Sequence, residues 1–148
     1  MNQNRINELT HSLLVCLAQL AYINEAMTYD LITDLDKLLL YVTSKDKSVT
    51  LYNEIKILLI YLKFQKIKTG EKFEFILKNQ EKYKNIYIIH LDAMDFIDEI
   101  LIKHNLYHEC YRTIRFDFAS SGTKTNLVVK IETETENFEF IKELDGEN

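Results

Sequence analysis

The chain has 148 residues, of which 47% are apolar and 28% are charged. This composition is typical of one globular unit, or of two small ones that share a core, and it excludes a disordered segment. The three glycines, Gly70, Gly122 and Gly146, are far apart, and there is no proline. The composition therefore also excludes a glycine-rich loop for a nucleotide phosphate, in which several glycines must lie close together.

The net charge of −5 is unevenly distributed along the chain. Residues 1–70 carry a net charge of +1, and residues 71–148 carry a net charge of −6. An acidic half disfavours nucleic acid as a partner, because Lys and Arg bound to phosphates supply most of the non-specific affinity. No apolar run is long enough to span a bilayer, and no basic-then-apolar leader opens the sequence. We therefore expect a cytoplasmic protein without membrane insertion.

The first part of the chain has the apolar spacing of helices. Apolar residues recur at intervals of three, four and seven, which predicts a helix over about residues 6–21 and a second one over residues 31–42. Leu14 falls on the predicted apolar face of the first helix, and Ile32 belongs to the apolar pattern of the second. These two helices are expected to form a hairpin.

A polar turn over residues 43–47 precedes a predicted third helix. Ser48 or Thr50 can cap its N-terminus, because a side-chain oxygen there accepts a hydrogen bond from an otherwise unpaired amide. Lysines followed by Gly70 are typical of its C-terminus. We interpret the lysines within residues 56–72 as a solvated helix face.

After Gly70 the period of the sequence changes. Residues 73–77 begin to alternate and predict a strand, whereas the polar residues 79–85 predict a loop. Residues 86–89 are compatible with a short strand or with the run-in to a helix. Asp92 is suited to cap that helix, whose apolar face includes Met94 and Ile97.

The last third of the sequence predicts strands. Residues 113–118 and 127–131 alternate between apolar and polar, and the turn residues around Gly122 join them in a hairpin. Residues 138–141 predict a last short element, and a polar tail is expected after Glu143. Together the elements predict an α+β fold, with a helical hairpin and a third helix followed by a reduced α/β sandwich that contains a β-hairpin.

Four short motifs follow one another between residues 30 and 133. They are Leu38-Leu39-Leu40-Tyr41, Val49-Thr50-Leu51 with Glu54, Tyr61-Leu62 with Gln65-Lys66-Ile67 and Gly70, and Glu99 with Ile102-Lys103-His104. This run resembles the LytS/YesM-type sensor histidine kinases, in which "L-L-R-Y", "V-T-L-x-x-E", "Y-L-x-I-Q-K-I-R-x-G" and "E-N-A-I-K-H" occur in the same order. The resemblance implies a helical, dimerisation-type region over residues 1–70 and a truncated, ATPase-like α/β region over residues 71–148.

The resemblance also shows where the working residues of a kinase are replaced. The Asn that holds Mg²⁺ beside the phosphates would align with Ile100, which has no oxygen to offer to a hard cation. The adenine-binding Asp-x-Gly would fall at residues 133–135, which read Thr-Glu-Thr, and the phospho-accepting His would lie near residues 7–9, which read Asn-Glu-Leu. We therefore expect a catalytically inactive, histidine-kinase-like signalling protein without a cofactor. It would act by protein–protein interaction in a two-component-type pathway, as a homodimer through its first two helices, with a response regulator or a sensor kinase as partner.

His11 keeps a second hypothesis open. It lies a few residues beyond the expected acceptor, at about 140° from the centre of the apolar face of the first helix, and so should be exposed. An exposed imidazole can accept a phosphoryl group, which would make the chain a histidine phosphotransferase that relays phosphoryl groups through His11. An ordinary surface histidine is the alternative at this position, and a small-molecule sensor that uses a vestigial nucleotide cleft is a third hypothesis for the protein.

We predict no metal site. His104, His108, Glu109 and Cys110 form only a sparse group of ligands, and a histidine favoured by the dipole at a helix C-terminus explains His104. The acidic residues Asp92, Asp95, Asp98 and Glu99 are interpreted as stabilising a helix N-terminus rather than as ligands of a divalent ion. Cys16 and Cys110 are interpreted as reduced, partly buried thiols.

Overall fold

A computed structural model describes residues 1–21, 25–70, 72–104, 111–144 and 146. Within these residues the chain forms five helices and six strands. In chain order they are α1 (Gln3–Ala21), α2 (Glu25–Val42), β1 (Ser48–Thr50), α3 (Leu51–Lys68), β2 (Phe73–Lys78), α4 (Gln80–Tyr83), β3 (Tyr87–Ile89), α5 (Asp92–Lys103), β4 (Arg112–Ser121), β5 (Lys124–Glu132) and β6 (Asn137–Leu144). The predicted α+β fold is confirmed, with the helical hairpin and third helix ahead of the sheet.

Four of the described strands form one mixed sheet in the order β2-β4-β5-β6. β2 is parallel to β4, and the other neighbours are antiparallel. Phe116 pairs with Val129, which pairs in turn with Phe140, so that apolar side chains from neighbouring strands share one face. β1 and β3 form a separate antiparallel pair.

α3, α4 and α5 contact the four-stranded sheet, and the α1–α2 hairpin packs on α3. α1, α2 and α3 pack against one another, and α3 also contacts α5 and β2. Because it lies between the hairpin and the rest of the fold, α3 is buried on several sides. The buried core is continuous from α1 to β6 and includes Leu13, Leu38, Leu62, Phe116 and Val129.

Local sequence signals fix several of the element boundaries. Of the two predicted caps, Ser48 and Thr50, it is Thr50 that caps α3, because its hydroxyl oxygen accepts a hydrogen bond from the amide of Asn53 at 3.3 Å. Gly70 follows α3 with a φ of 67°, a left-handed conformation that glycine adopts without steric cost. Gly122, in the turn between β4 and β5, has a φ of 64° for the same reason.

Two local predictions for the second half are wrong. The loop expected over residues 79–85 contains α4, and its Tyr83 is buried with its hydroxyl 2.8 Å from that of Ser120 on β4. The polar tail expected after Glu143 does not begin there, because β6 continues to Leu144, which is buried, while residues 145, 147 and 148 lie outside the described residues. In both places contacts with residues distant in the sequence override a polar local composition. Residues 86–89 include the strand β3, so the first of their two interpretations is confirmed.

The apolar faces of α1 and α2 are narrower than the sequence predicts. Leu14 and Ile32 are each 52% exposed, although both were expected to belong to apolar faces. The neighbours of these helices cover only the side that carries Leu13 and Leu31. Across the part of the chain that the structure describes, no helix has both the length and the apolar character needed to cross a membrane.

Candidate functional site

The most unusual feature of the described core is a pair of buried carboxylates, one on α5 and one on α3 beside the N-terminus of α5. Glu54 on α3 is 0% exposed, and Asp98 on α5 is 4% exposed. A carboxylate is costly to bury unless charged or polar groups compensate it. The burial of Asp98 is compensated by an ion pair, and the burial of Glu54 by hydrogen-bond donors that carry no formal charge.

Asp98 is held by a positive charge. Nε and Nη2 of Arg5, on α1, donate hydrogen bonds of 2.7 Å to its two carboxylate oxygens, and the hydroxyl of Tyr61, on α3, donates a third. This bidentate geometry is the strongest form of an ion pair in proteins. The hydrogen bond to Asp98 raises the pKa of the Arg5 guanidinium, which therefore stays charged. Asp98 ties three helices together at one point.

Glu54 is held by dipoles instead. Its Oε1 accepts a hydrogen bond of 3.0 Å from the amide of Met94, and its Oε2 accepts one of 3.1 Å from the amide of Leu91 and another from the hydroxyl of Tyr41. The two amides are at the N-terminus of α5, where backbone N–H groups lack partners in the helix. Glu54 thus caps α5 from a neighbouring helix. Burial raises the pKa of its carboxyl group, against the opposing effect of these hydrogen bonds.

His90 completes the polar cluster around Glu54. Its Nε2 lies 2.9 Å from the carbonyl oxygen of Tyr41, and its ring meets the Tyr41 ring nearly edge-on, with centroids 4.7 Å apart. Burial, followed by the nearby Glu54, raises the pKa of the Tyr41 hydroxyl. Because three protein donors occupy its carboxylate, Glu54 holds structure in place rather than offering a base to a substrate.

The capping residue expected from the sequence is not the one in the structure. Asp92 is the first residue of α5 and has an ion pair with Lys142 of β6 at 2.9 Å, while the N-cap position is Leu91, with a φ of 69° and no side-chain cap. Glu54 supplies the missing cap from α3. A single acidic residue between Leu51 and Ile55 in an apolar helix pattern was the signal for it, whereas nothing local to Asp98 announced its ion pair.

The structure places His11 on the exposed side of α1, as expected. The positions four residues away, Asn7 and Val15, supply no carboxylate to orient the imidazole ring, and Glu8, three residues away, pairs with Arg5 at 3.4 Å. His11 is not part of either buried cluster. Its exposure is what both a surface histidine and a phosphoryl acceptor require.

A buried side chain and a tight turn occupy the two positions that the resemblance assigns to Mg²⁺ and adenine binding. Ile100 is 4% exposed and packs in the core, while the neighbouring Glu99 is exposed. After β5, residues 133–136 turn directly into β6. In this turn the hydroxyl oxygen of Thr133 accepts a hydrogen bond of 2.9 Å from the amide of Glu136, whose carbonyl oxygen accepts one of 2.9 Å from the amide of Thr133.

The residues weighed as metal ligands are only partly described. His104 is the C-cap of α5, and its ring centroid lies 4.9 Å from that of Phe138 and 4.8 Å from that of Phe140. His108, Glu109 and Cys110 lie outside the described residues. In the described ranges no three His, Cys, Asp or Glu side chains could together hold a metal ion. Cys16 is a buried free thiol, and burial raises its pKa.

No protein-family model and no curated protein matches the sequence. The motifs, the fold and the two carboxylate clusters are therefore the features that bear on function.

Proposed function

We propose that this chain is a catalytically inactive, histidine-kinase-like signalling protein that acts by protein–protein interaction in a two-component-type pathway. The order of the elements supports this proposal. A helical hairpin is followed by a capped helix, a strand, a second helix and a β-hairpin, which is the order of the motifs that resemble the LytS/YesM-type kinases. Glu54, in the second of these motifs, links α3 to the N-terminus of α5.

Two positions support the proposal that the chain is catalytically inactive. A buried Ile100 offers no oxygen where a kinase of this type would hold Mg²⁺. The four residues 133–136 leave no chain for an adenine loop and a lid between β5 and β6. ATP-dependent autophosphorylation would need both an oxygen ligand for Mg²⁺ and a loop that binds adenine.

The first experiment tests the loss of nucleotide chemistry. The protein is incubated with Mg²⁺ and ATP labelled at the γ-phosphate, and its melting temperature is measured with and without millimolar ATP. We expect neither incorporation of label nor a shift, since a ligand that binds the native state must raise its stability. Incorporation of label would contradict the proposal. A shift without label would favour a small-molecule sensor.

A homodimer through α1 and α2 is part of the same proposal. Tyr29, Ile32 and Leu40 are 73%, 52% and 65% exposed, and at 100° per residue they fall within about 80° of one another on α2. They lie opposite the buried Leu31 and Leu38. Exposed apolar side chains on one helix face are typical of an interaction site, and a second copy would bury them symmetrically. Asp36, which is exposed between Ile32 and Leu40 on the same face, would lie at the edge of such a contact or pair with a basic side chain of the second copy.

Light scattering on matched variants tests the dimer. Ile32→Asp should reduce the mass from that of a dimer to that of a monomer, while Ile102→Asp should leave the dimer intact. Ile102 is the matched control because it is also 52% exposed but lies on α5. A wild-type monomer at high concentration would overturn the dimer, and an equal effect of both variants would overturn its location.

The exposure of His11 supports a second candidate, a histidine phosphotransferase. The test is incubation with a receiver domain that has been phosphorylated on its aspartate. Under the main proposal the receiver binds but no label moves to the chain. Transfer of label that His11→Ala abolishes and Asn7→Ala preserves would establish the phosphotransferase instead, since Asn7 is exposed one turn away on the same helix.

A further inference from the structure

A small groove lies on the surface between α3, β2 and α4. Its volume is about 140 Å³, and apolar side chains of Ile55, Leu59 and Leu77 line it together with Tyr52. Two of these are open to solvent, since Tyr52 is 49% exposed and Leu59 is 36% exposed. The groove is therefore an apolar surface in contact with water, on elements other than the α1–α2 hairpin.

The size of the groove limits what it can hold. Pockets for small organic ligands and cofactors have volumes of about 300–1,000 Å³, more than twice the volume here. A space of this size suits one side chain of a partner, and an apolar or aromatic anchor in such a pocket is the typical centre of a protein interface.

The rim of the groove is basic, although the chain as a whole is acidic. Two lysines, Lys56 and Lys84, line it with one acid, Glu81, and two further lysines, Lys78 and Lys82, lie nearby in the sequence but not in the lining. The ammonium group of Lys56 lies 4.5 Å from the centroid of the Tyr52 ring. The Lys84–Glu81 ion pair of 2.9 Å joins two exposed side chains and is therefore weak enough to exchange for another carboxylate.

We propose that this groove binds an acidic segment of a partner protein, which inserts one apolar side chain between the lysines. The charge of the rim selects carboxylates, and the apolar floor selects the anchor. The inference rests on the proposed function, namely that the chain acts by binding proteins, and adds the chemistry of one partner and a second surface apart from the hairpin.

Fluorescence anisotropy with defined peptides tests the proposal. The probe is a short fluorescein-labelled peptide with one Phe between runs of Glu. We expect saturable binding that weakens as salt is added, because the contacts at the rim are screened. The same peptide with Ser in place of Phe, or with Lys in place of Glu, should bind at least about tenfold more weakly, a loss equivalent to one decade in Kd.

Variants of the protein locate the binding. Lys56→Glu combined with Lys84→Glu should weaken binding of the probe at least about tenfold, and Leu59→Gln should do so with no change in net charge. The matched control is Lys45→Glu with Lys47→Glu, which makes the same change in charge at exposed positions in the turn after α2. Melting temperatures within a few degrees of wild type establish that the variants fold.

Three results would overturn the groove as a site for an acidic partner. The first is that the probe shows no saturable binding, and the second is that the control variant loses as much binding as the groove variants. The third is that a groove variant is a monomer while the wild type and Ile32→Asp are both dimers. In that case the groove is a contact between two copies of the chain. The proposed hairpin dimer is tested separately, by light scattering on Ile32→Asp. A failure of the dimer proposal is therefore distinguishable from a failure of the groove proposal, which the peptide assay measures.

Discussion

Glu54 and Asp98 are buried to nearly the same extent but are stabilised differently. Asp98 faces a guanidinium in bidentate geometry, so that its charge is neutralised where it lies. Glu54 faces two backbone amides and a hydroxyl, which carry only partial charges, and burial raises its pKa.

The comparison explains how the hairpin is joined to the rest of the fold. α1 reaches α5 through the Arg5–Asp98 ion pair, and α2 reaches α5 through Tyr41 and Glu54. If the hairpin forms the proposed dimer, these two polar links connect it to α5 and the rest of the fold. The two links should respond differently to substitution and to pH.

The largest effect is expected from Arg5→Met. This substitution leaves Asp98 buried without a countercharge, which should lower the free energy of unfolding by about 3–5 kcal/mol. Urea denaturation measures it, with Lys37→Met, an exposed position on α2, as the matched control. Adding Asp98→Leu to Arg5→Met should recover most of the loss. If the double variant stays as unstable as the single one, the ion pair is not the source of the effect.

Substitution of Glu54 should separate its charge from its role as an acceptor. Glu54→Ala leaves two amides of α5 and the Tyr41 hydroxyl without their acceptor, which should cost about 2–4 kcal/mol. Glu54→Gln keeps one acceptor oxygen but places its NH2 group against one of the two amides, so it should cost about 1–3 kcal/mol, less than Glu54→Ala. Glu99→Ala, at an exposed position of α5, serves as the control in the same urea titration. Equal losses in the two Glu54 variants would show that the charge, rather than the cap, matters.

The two tyrosines offer a finer comparison. Tyr41→Phe removes one of three donors to Glu54 and should cost about 2 kcal/mol, since hydrogen bonds to charged groups are worth about 1.5–3 kcal/mol. Tyr61→Phe should cost only about 1 kcal/mol, because Arg5 still bonds both oxygens of Asp98. Thermal unfolding of the two variants side by side measures the difference. The reverse order of losses would contradict the distinction between a charge-compensated and a dipole-compensated carboxylate.

The smallest effect is a dependence on pH. The pKa of Glu54 is raised in the folded state above its ordinary value of 4.5, so the folded protein binds a proton more tightly than the unfolded chain does. The contribution of Glu54 to stability is therefore greatest below about pH 4.5 and falls as pH rises through its folded-state pKa. The melting temperature of the wild type relative to Glu54→Gln should decrease between acidic and neutral pH. A difference that is constant with pH would mean that Glu54 titrates as in an unfolded chain.

Much of the fold was predictable because its signals are local. Helical spacing located α1, α2, α3 and α5, and alternation located β2, β4 and β5. Thr50 identified a cap through chemistry that acts over three residues. Gly70 and Gly122 marked positions with positive φ. The prediction of an exposed His11 followed from the same helical geometry and is confirmed.

The errors occurred where a partner lies far along the chain. Tyr83 is buried against β4, which a reading of the polar residues 79–85 could not anticipate. Leu14 fits the apolar spacing of α1 but is exposed. The spacing identifies which side of a helix is apolar, whereas the neighbouring elements determine how wide a strip of that side is buried.

The sequence by itself determined the α+β class, the order of the four long helices and of β2, β4 and β5, and the motifs on which the proposed function rests, because these depend on residues a few positions apart. Only the tertiary structure decided that Glu54 caps a helix 37 residues away and that Arg5 neutralises Asp98 at a separation of 93 residues. It also decided that Lys56 and Lys84 border one groove. Such pairings depend on how helices pack around a common core, and no local pattern encodes them.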